Sequence, residues 1–241
     1  MTTQAATASP LLSVSDLEVR YGMAVALKNL TLEVDKGDVV ALLGVNGSGK
    51  SSFARACAGL VRPASGSIVF EHQDVTGWRA DRIRRAGLVY LPEGRGIFPS
   101  LTVGENLRIA IRLVKPRAAA LDRVFHLFPI LADRRRQLAG TLSGGEQQML
   151  ALARAFVGEP RIVIVDEPSL GLAPAMVELT FESLTNAKSL GLTIVLIEQF
   201  VHRALALADR CLILSRGAVS WQGNASDAGA ANLHRQYLGE A

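Results

Sequence analysis

Short apolar runs alternate with longer segments of helical periodicity along most of the chain. The apolar runs have the length of strands and are bounded by glycine, proline or charged residues. This alternation is typical of an α/β fold built on a mostly parallel sheet. The predicted strands are LLSVSDLEVR, NLTLEV, DVVALLG, GSIVFE, GLVYLP, RIVIVDE, LTIVLIE and RCLILSRGAVSWQG, the last being a hairpin around Arg216 and Gly217.

The pattern changes between GLVYLP and RIVIVDE. From residue 101 to residue 158 the sequence has no convincing strand, and its helical segments include LTVGENLRIAIRL and QQMLALARAFVG. Thr102 with Glu105, and Ser143 with Glu146, have the spacing of a capping box, which begins a helix. The segment therefore predicts a helical subdomain inserted into the α/β core.

Length and composition are those of a folded domain. A chain of 241 residues that is 49% hydrophobic can bury a substantial core. No apolar run approaches the roughly 18–20 residues that cross a bilayer, and MTTQAATASP lacks the basic and apolar regions of an export signal. We expect one cytosolic domain over residues 1–241, with an α/β core at about 1–95 and 159–241 and the helical subdomain at about 96–158.

Charge and cysteine content narrow the possible functions. The net charge is +4, and the densest basic run, Arg134 to Arg136, is typical of a solvated face, with an acidic partner or a membrane surface as the alternative. Cys57 and Cys211 have no C-x-x-C spacing, and the four histidines form no paired set. These patterns argue against a disulfide framework and against a metal site built from cysteine or histidine.

The segment GVNGSGKS matches the phosphate-binding loop G-x-x-x-x-G-K-[ST], with a predicted strand before it and a predicted helix, SSFARACAGL, after it. Backbone amides of residues 46–51 would surround phosphates, Lys50 would neutralise the β and γ oxygens, and Ser51 would bind Mg²⁺. A glycine-rich turn without function is the alternative. The candidate nucleotide-binding residues here are Gly44, Asn46, Gly47, Ser48, Gly49, Lys50, Ser51 and Ser52.

Two carboxylates end the predicted strand IVIVDE. Asp166 would hold Mg²⁺ directly or through water, and Glu167 would orient and deprotonate an attacking water. Adjacent carboxylates at a strand end are often simply solvated. Ligands of open α/β folds bind at the carboxyl ends of the strands, so the presence of GVNGSGKS in the same chain favours catalysis.

The stretch LSGGEQQML places two glycines at the start of a predicted helix. Helix capping by Ser143 and Glu146 does not explain Gly144 and Gly145, because glycine in a helix costs about 0.5–1 kcal/mol relative to alanine. A serine hydroxyl and free backbone N–H groups at the positive end of a helix form an anion site that glycine leaves open. The segment is therefore a second candidate phosphate contact.

Together, GVNGSGKS, LSGGEQQ and IVIVDE resemble the motifs of ABC ATPases, and the resemblance covers essentially the whole chain. It implies a P-loop NTPase core with an inserted helical subdomain. It also implies a head-to-tail dimer with two ATP molecules between the subunits. In such a dimer Ser143, Gly144 and Gly145 contact the γ-phosphate of ATP held by the P-loop of the second subunit.

The resemblance extends to three further positions and one further segment. Tyr21 matches the aromatic residue that stacks on adenine, with an ordinary strand-end tyrosine as the alternative. SLGLAP, residues 169–174, matches the D-loop, although its usual aspartate is replaced. Glu93 occupies the position of a glutamine that reaches Mg²⁺, and Gln199 stands where most relatives have the switch histidine. These two departures predict a weaker hydrolytic site.

A narrower resemblance comes from LPEGRGIFP, DEPSLGLAP, IEQ and a tail ending in YLG, which resemble the smaller ATPase subunit of branched-chain amino-acid importers. The resemblance implies ATP and Mg²⁺ as cofactors and a place at the cytoplasmic face of the membrane. It implies two permease subunits and a second ABC ATPase as partners, with a heterodimer favoured over a homodimer, and an extracytoplasmic solute-binding protein acting indirectly. Importers of urea, amides or other amino acids are the alternative.

Two other classes explain less of the sequence. An ABC ATPase of DNA repair or translation usually carries a long coiled-coil insertion or two cassettes, and neither pattern is visible. A small-molecule kinase would explain GVNGSGKS but not LSGGEQQ. We therefore expect a transport ATPase without a nucleic-acid partner.

Overall fold

The computed structural model describes residues 9–94, 96–111 and 117–228. Several sequence features lie outside these residues: most of MTTQAATASP, Arg95 of LPEGRGIFP, the last two positions of LTVGENLRIAIRL and the tail QYLGEA. The strands are β1 Leu12–Tyr21, β2 Ala24–Val34, β3 Val39–Gly44, β4 Ser65–Phe70, β5 Gln73–Asp74, β6 Leu88–Leu91, β7 Ile162–Asp166, β8 Thr193–Glu198, β9 Arg210–Ser215 and β10 Ala218–Asn224.

Helices cover the sheet and form the segment between β6 and β7. They are α1 Lys50–Cys57, α2 Ala80–Ala86, α3 Val103–Ala110, α4 Arg117–Leu127, α5 Pro129–Asp133, α6 Gly144–Phe156, α7 Pro174–Ser189, α8 Val201–Leu207 and α9 Ala225–Ala228. Every described helix is too short or too polar to cross a bilayer. The predicted α/β class is confirmed.

A six-stranded sheet in the order β10-β9-β3-β8-β7-β6 forms the centre of the molecule. Its strands run parallel from β9 to β6, and only the edge strand β10 is antiparallel. The hairpin between β9 and β10 turns at Arg216 and Gly217, both with positive φ, as predicted. The carboxyl ends of the five parallel strands therefore meet at one edge of the sheet.

A second sheet, in the order β2-β1-β4-β5, is wholly antiparallel and was not predicted from the sequence. The short turn between Tyr21 and Ala24 returns the chain directly beside β1. A tight connection allows only antiparallel pairing, since parallel neighbours need a long crossover. Strand β5 is a two-residue exposed strand with no apolar pattern, which is why its sequence gave no signal.

The core lies on both faces of the six-stranded sheet. Successive side chains of a strand point to opposite faces, so Val39, Ala41 and Leu43 of β3 join one buried cluster while Val40 and Leu42 join the other. The first cluster includes apolar residues of α3, α6 and α7, and the second includes those of α1 and the antiparallel sheet. Burial on both faces explains the continuous apolar run of β3.

Both predicted capping boxes are present. The Thr102 hydroxyl accepts a hydrogen bond from the Glu105 amide (3.2 Å), and the Glu105 carboxylate accepts one from the Thr102 amide (2.8 Å). Ser143 and Glu146 make the same pair at the start of α6. None of the described residues between 101 and 158 belongs to a strand. The division into a core and a helical subdomain stays a prediction.

The turn that leads into α3 depends on Asn106. This side chain is fully buried, accepts a hydrogen bond from the Phe98 amide (2.9 Å) and donates to the carbonyls of Phe98 and Thr102 (3.0 Å each). We expect Asn106→Ala to lower the free energy of unfolding by about 2–4 kcal/mol, because the removed amide leaves buried backbone groups unpaired. Asn186→Ala, on the exposed side of α7, should change stability little. Equal losses in denaturant titrations of the two variants would contradict this role.

Candidate functional site

The loop between β3 and α1 has a backbone that only glycine adopts readily. Gly47 and Gly49 have φ of 78° and 106°, in the left-handed region. A Cβ atom on Gly49 would lie 2.5 Å from the Ala26 carbonyl oxygen and 2.6 Å from a methyl carbon of Leu27. The close approach of β2 therefore requires glycine at position 49, where α1 begins. The strand, loop and helix predicted for GVNGSGKS are confirmed.

A cleft of about 300 Å³ opens over this loop. A second cleft of about 420 Å³ adjoins it and is lined in part by Gln147 and Gln148 of α6. Glu93, Glu167 and Leu170 line both clefts. The structure thus brings Glu93 and Glu167 to the predicted phosphate-binding loop. The other residues around the first cleft are Ala26, Asn46, Gly47, Gly49, Lys50, Ser51 and Ser52.

Lys50 is held beneath the loop by three oxygen atoms. Its side chain is 4% exposed, and its Nζ donates to the carbonyl oxygens of Gly44 (2.8 Å) and Val45 (3.2 Å). The Nζ also lies 3.4 Å from Glu167 Oε1. A buried ammonium needs such compensation because desolvation of a charge is costly. The ion pair joins the predicted phosphate-binding lysine to the predicted catalytic carboxylate.

Asp166 ends β7 and is only 3% exposed. Burial raises the pKa of Asp166, and hydrogen bonds from the hydroxyls of Tyr90 and Ser51 partly offset this effect. The Tyr90 hydroxyl donates to Oδ2 at 2.8 Å, whereas Oδ1 has no hydrogen-bond partner among the described residues. A buried carboxylate oxygen without a partner is unfavourable. A hard cation at this oxygen would remove that cost.

Sequence reasoning missed Tyr90. Its strand β6 pairs with β7 in parallel, with Tyr90 opposite Ile164. The tyrosine hydroxyl can reach the strand-end carboxylate only because the two strands are neighbours. No local pattern in GLVYLP marks this contact, although a polar tip within an apolar strand is itself a signal for a hydrogen-bond partner.

Glu167 and Gln199, the two predicted catalytic residues, are in direct contact. Gln199 Nε2 donates to Glu167 Oε2 at 3.0 Å and to Asn46 Oδ1 at 2.6 Å. Glu167 has φ of 47°, an unusual value for a residue with a side chain, and its amide donates to the Ile197 carbonyl at 2.9 Å. Asn46, Gln199, Glu167 and Lys50 thus form a connected polar chain across the cleft.

The start of α6 lies apart from this cleft. Ser143, Gly144 and Gly145 are among the described residues, and none of them lines either cleft. Ser143 and Gly144 are exposed, but Gly145 is buried. A Cβ atom on Gly145 would contact the Met176 side chain, lying 2.7 Å from its Cβ. The close packing of α7 against α6 therefore requires glycine at position 145 within this chain. The sequence pattern had suggested a phosphate contact as the explanation for both glycines, and it gave no sign of this packing.

Tyr21 is half-exposed at the end of β1. Its hydroxyl hydrogen-bonds the guanidinium of Arg55 in α1, and this contact is the main cause that raises the pKa of Arg55. Tyr21 does not line the cleft over the phosphate-binding loop. Its stacking on adenine stays a prediction.

The packing of Gly145 on Met176 can be measured by a double-mutant cycle. We expect Gly145→Ala to destabilise the chain by about 1–3 kcal/mol through overpacking. Met176→Ala removes the two nearest atoms, Cγ and Cε, and leaves Cβ 2.7 Å away, so the double variant should recover part of the stability lost through Gly145→Ala. Chemical denaturation of the four proteins gives the coupling energy. Additive effects would show that Met176 does not require the glycine.

The profile of the ABC transporter family matches residues 27–170. A high-affinity branched-chain amino acid transport ATP-binding protein of Pseudomonas aeruginosa, BraG, is 40% identical over 92% of this chain and 95% of its own length. A probable branched-chain amino acid transport ATP-binding protein of Archaeoglobus fulgidus, LivF, is 34% identical over 90% and 93%.

Solved structures agree with these sequence relatives. An ATP-binding subunit of an ABC transporter superposes with a TM-score of 0.81 at 31% identity, covering 95% of this chain and 97% of the other. A nucleotide-free ATP-binding cassette of an ABC transporter has a TM-score of 0.83 at 23% identity, with the same coverage. The profile match over more than half of the chain and the two sequence relatives show that this chain belongs to the ABC transporter family of ATP-binding proteins.

Proposed function

We propose that this chain binds and hydrolyses ATP to drive the import of branched-chain amino acids through separate membrane permeases. The connected chain from Asn46 through Gln199 and Glu167 to Lys50 carries the ATPase assignment, because it joins a carboxylate base to a phosphate-binding loop. The names of the relatives from Pseudomonas aeruginosa and Archaeoglobus fulgidus support the solute class.

Importers of other solutes remain the second candidate. Methionine import ATP-binding proteins of Brucella species are 30% identical over 90% of this chain, but the chain covers only 61% of their length. Identity and coverage both favour the branched-chain amino-acid assignment.

Phosphate binding in this proposal rests on the loop and Lys50. Backbone N–H groups of residues 46–51, at the positive end of α1, bind the phosphate oxygens. Lys50 lies beneath them with its charge balanced by Glu167. An arriving triphosphate offers the ammonium a stronger partner and leaves Glu167 available to face water. Charge that develops on the γ-phosphate is then stabilised by a cation already in position.

The donor set of Asp166 and Ser51 fits Mg²⁺. The unpartnered Asp166 Oδ1 and the adjacent hydroxyl are hard oxygen ligands of the kind this ion prefers. Bound Mg²⁺ would neutralise charge on the β and γ oxygens. Tyr90 holds the other carboxylate oxygen, which orients Asp166 toward the loop. Glu93 lines the same cleft and is the third candidate ligand.

Hydrolysis requires a base at Glu167 and a group that orients it. Glu167 accepts the proton of the attacking water. Gln199 holds Glu167 Oε2 and Asn46 together through one amide nitrogen, which carries two N–H groups, whereas each nitrogen of a neutral histidine carries at most one. Gln199 therefore acts as a neutral brace without a charge switch. Gln199 keeps its hold on Oε2 after a triphosphate has drawn Lys50 away from Oε1, in keeping with a weaker hydrolytic site.

A second ATPase chain completes the proposed site. Ser143 and Gly144 are exposed at the start of α6 and line neither cleft of their own chain, which suits contact with ATP bound by another subunit. We propose a head-to-tail pair, a heterodimer in preference to a homodimer, at the cytoplasmic face of the membrane. Two permeases bind it, a solute-binding protein acts through them, and no nucleic acid takes part. Residues 96–158 serve as the helical subdomain that presents Ser143.

The proposed base is tested by Glu167→Gln. The amide keeps the shape of the side chain but accepts no proton, so we expect turnover at saturating ATP to fall about 10²–10⁴-fold. Affinity for ATP should be retained, and ATP-bound dimers should accumulate in size-exclusion chromatography. Lys50→Ala should instead lose tight ATP binding.

Glu178→Gln is the matched control, since Glu178 is an exposed carboxylate of α7 paired with Arg203. Its turnover should equal that of the unmodified chain. Normal turnover in Glu167→Gln would exclude this residue as the base. Unchanged nucleotide affinity in Lys50→Ala would contradict the assignment of the phosphate-binding loop.

The two roles of Ser143 are separated by two substitutions. Ser143→Ala removes the helix cap and should cost about 0.5–2 kcal/mol of stability. Ser143→Arg removes the same cap and also places a bulky side chain where the γ-phosphate of the partner enters. We expect both variants to melt at similarly lowered temperatures and to bind ATP as monomers, but only Ser143→Arg to lose ATP-driven dimerisation completely. Full dimerisation of Ser143→Arg would leave capping as the role of this residue.

A further inference from the structure

A buried carboxylate lies behind the proposed catalytic residues and was not singled out from the sequence. Glu198 is the last residue of β8, and its side chain is 1% exposed. The side chain of its neighbour Gln199 contacts Asn46 and Glu167, which line the cleft over the phosphate-binding loop. Because consecutive residues at a strand end point to opposite sides, Glu198 points into the protein, away from the phosphate-binding loop.

Four donors surround this carboxylate. Glu198 Oε1 accepts hydrogen bonds from the Ser169 hydroxyl (2.5 Å) and the Ser169 amide (3.2 Å), and Oε2 accepts one from the Gln199 amide (3.0 Å). Burial raises the pKa of Glu198, and these bonds together with the Phe200 amide oppose that rise. Removing a carboxylate from water costs free energy. The hydrogen bonds from these donors are therefore needed to offset the cost of burying Glu198.

The bonds join two segments of the chain. One is the loop after β7, which begins with Glu167 and continues through Ser169 and Leu170; the other is the turn after β8, which carries Gln199. Ser169 is buried, whereas Leu170 is nearly half-exposed and lines both clefts. Glu198 therefore anchors the buried part of this loop at Ser169, while the exposed part of the loop at Leu170 lines the clefts.

The backbone of Glu167 needs such support. Its φ of 47° is unfavourable for a residue with a side chain and persists only where neighbouring contacts impose it. The Glu167 amide is bonded to Ile197 on one side, and the Ser169 amide is bonded to Glu198 on the other. Both anchors belong to β8. The side chain of Glu167 meets Gln199 of the following turn.

We propose that Glu198 is a positioning residue that fixes the Glu167–Leu170 loop and the Gln199 turn relative to each other. Glu198 does not touch the proposed nucleotide cleft. It acts through Ser169 and the Gln199 backbone, and so determines how the base, its amide brace and exposed Leu170 are arranged. The inference rests on the proposed ATPase function and assigns a role to Glu198, a residue of the IEQ segment to which the resemblance gave no function.

The test uses Glu198→Gln and Ser169→Ala in the full chain. The glutamine amide keeps the volume of Glu198 but replaces one acceptor by an NH₂ group, so either the Ser169 anchor or the Gln199 anchor is lost. We expect turnover at saturating ATP to fall about tenfold or more. The dissociation constant for ATP should stay within about twofold, because the phosphate-binding loop is unchanged. Ser169→Ala should show the same split to a smaller degree.

Amide hydrogen exchange provides a readout independent of activity. Exchange at Ser169 or at Gln199, whichever amide loses its acceptor, should accelerate in Glu198→Gln, while exchange in α1 stays unchanged. Ser183→Ala is the matched control, because Ser183 is a buried serine of α7 whose hydroxyl donates to the Leu179 carbonyl at 2.8 Å. Its turnover and its exchange at Ser169 should match those of the unmodified chain.

The outcomes separate this inference from the proposed function. Normal turnover in Glu198→Gln, unchanged exchange at both amides, or an equal loss of turnover in Ser183→Ala would overturn the positioning role. A parallel loss of ATP affinity and turnover would do so as well, since it would indicate general destabilisation. Failure of the unmodified chain to hydrolyse ATP would instead overturn the proposed function. Acceleration at Ser169 or Gln199 in Glu198→Gln would then still establish the anchor.

Discussion

Parallel hydrogen bonding between β3, β8 and β7 is the constraint on which the site depends. Leu43 pairs with Glu198, and Asp166 pairs with Ile197, so all three strands end at the same level. The phosphate-binding loop, the acidic pair and the Gln199 turn follow directly from these ends. Residues far apart in sequence therefore converge without any long side chain having to span the distance. Loops at the carboxyl ends of such sheets commonly form ligand sites for this reason.

Charge compensation then determines how the charged side chains of the site are paired before a nucleotide binds. Lys50 is paired with Glu167, Glu167 is braced by Gln199, and Asp166 is held by Tyr90. Each buried charge has at least one partner within the chain, as the cost of desolvation requires. The exception is Asp166 Oδ1, which has none among the described residues. Ser48 Oγ in the phosphate-binding loop is likewise buried without a hydrogen-bond partner among these residues, and of the two oxygens the Asp166 carboxylate is the one that fits a cation.

The start of α6 shows how one short motif can serve folding and function together. Ser143 caps the helix and Gly145 admits Met176, so both residues have structural roles within the chain. Such roles do not exclude contact with a phosphate, since a capped helix terminus still presents free N–H groups. They do mean that a substitution here changes stability as well as any partner contact. The functional role of this motif is therefore assigned by measuring stability and ATP-driven dimerisation separately.

The sequence by itself determined the features that depend on neighbours along the chain. Every strand except β5, both capping boxes, the β9–β10 turn and the glycine-rich loop follow from local periodicity, capping chemistry and backbone conformation. Only the tertiary structure decided the contacts between distant segments. Tyr90 meets Asp166 across 76 residues and Ser169 meets Glu198 across 29, while Gly145 packs on Met176 of another helix. These contacts depend on which strands are neighbours and on how closely the helices approach. They join residues that are far apart along the chain, so no local sequence pattern predicts them.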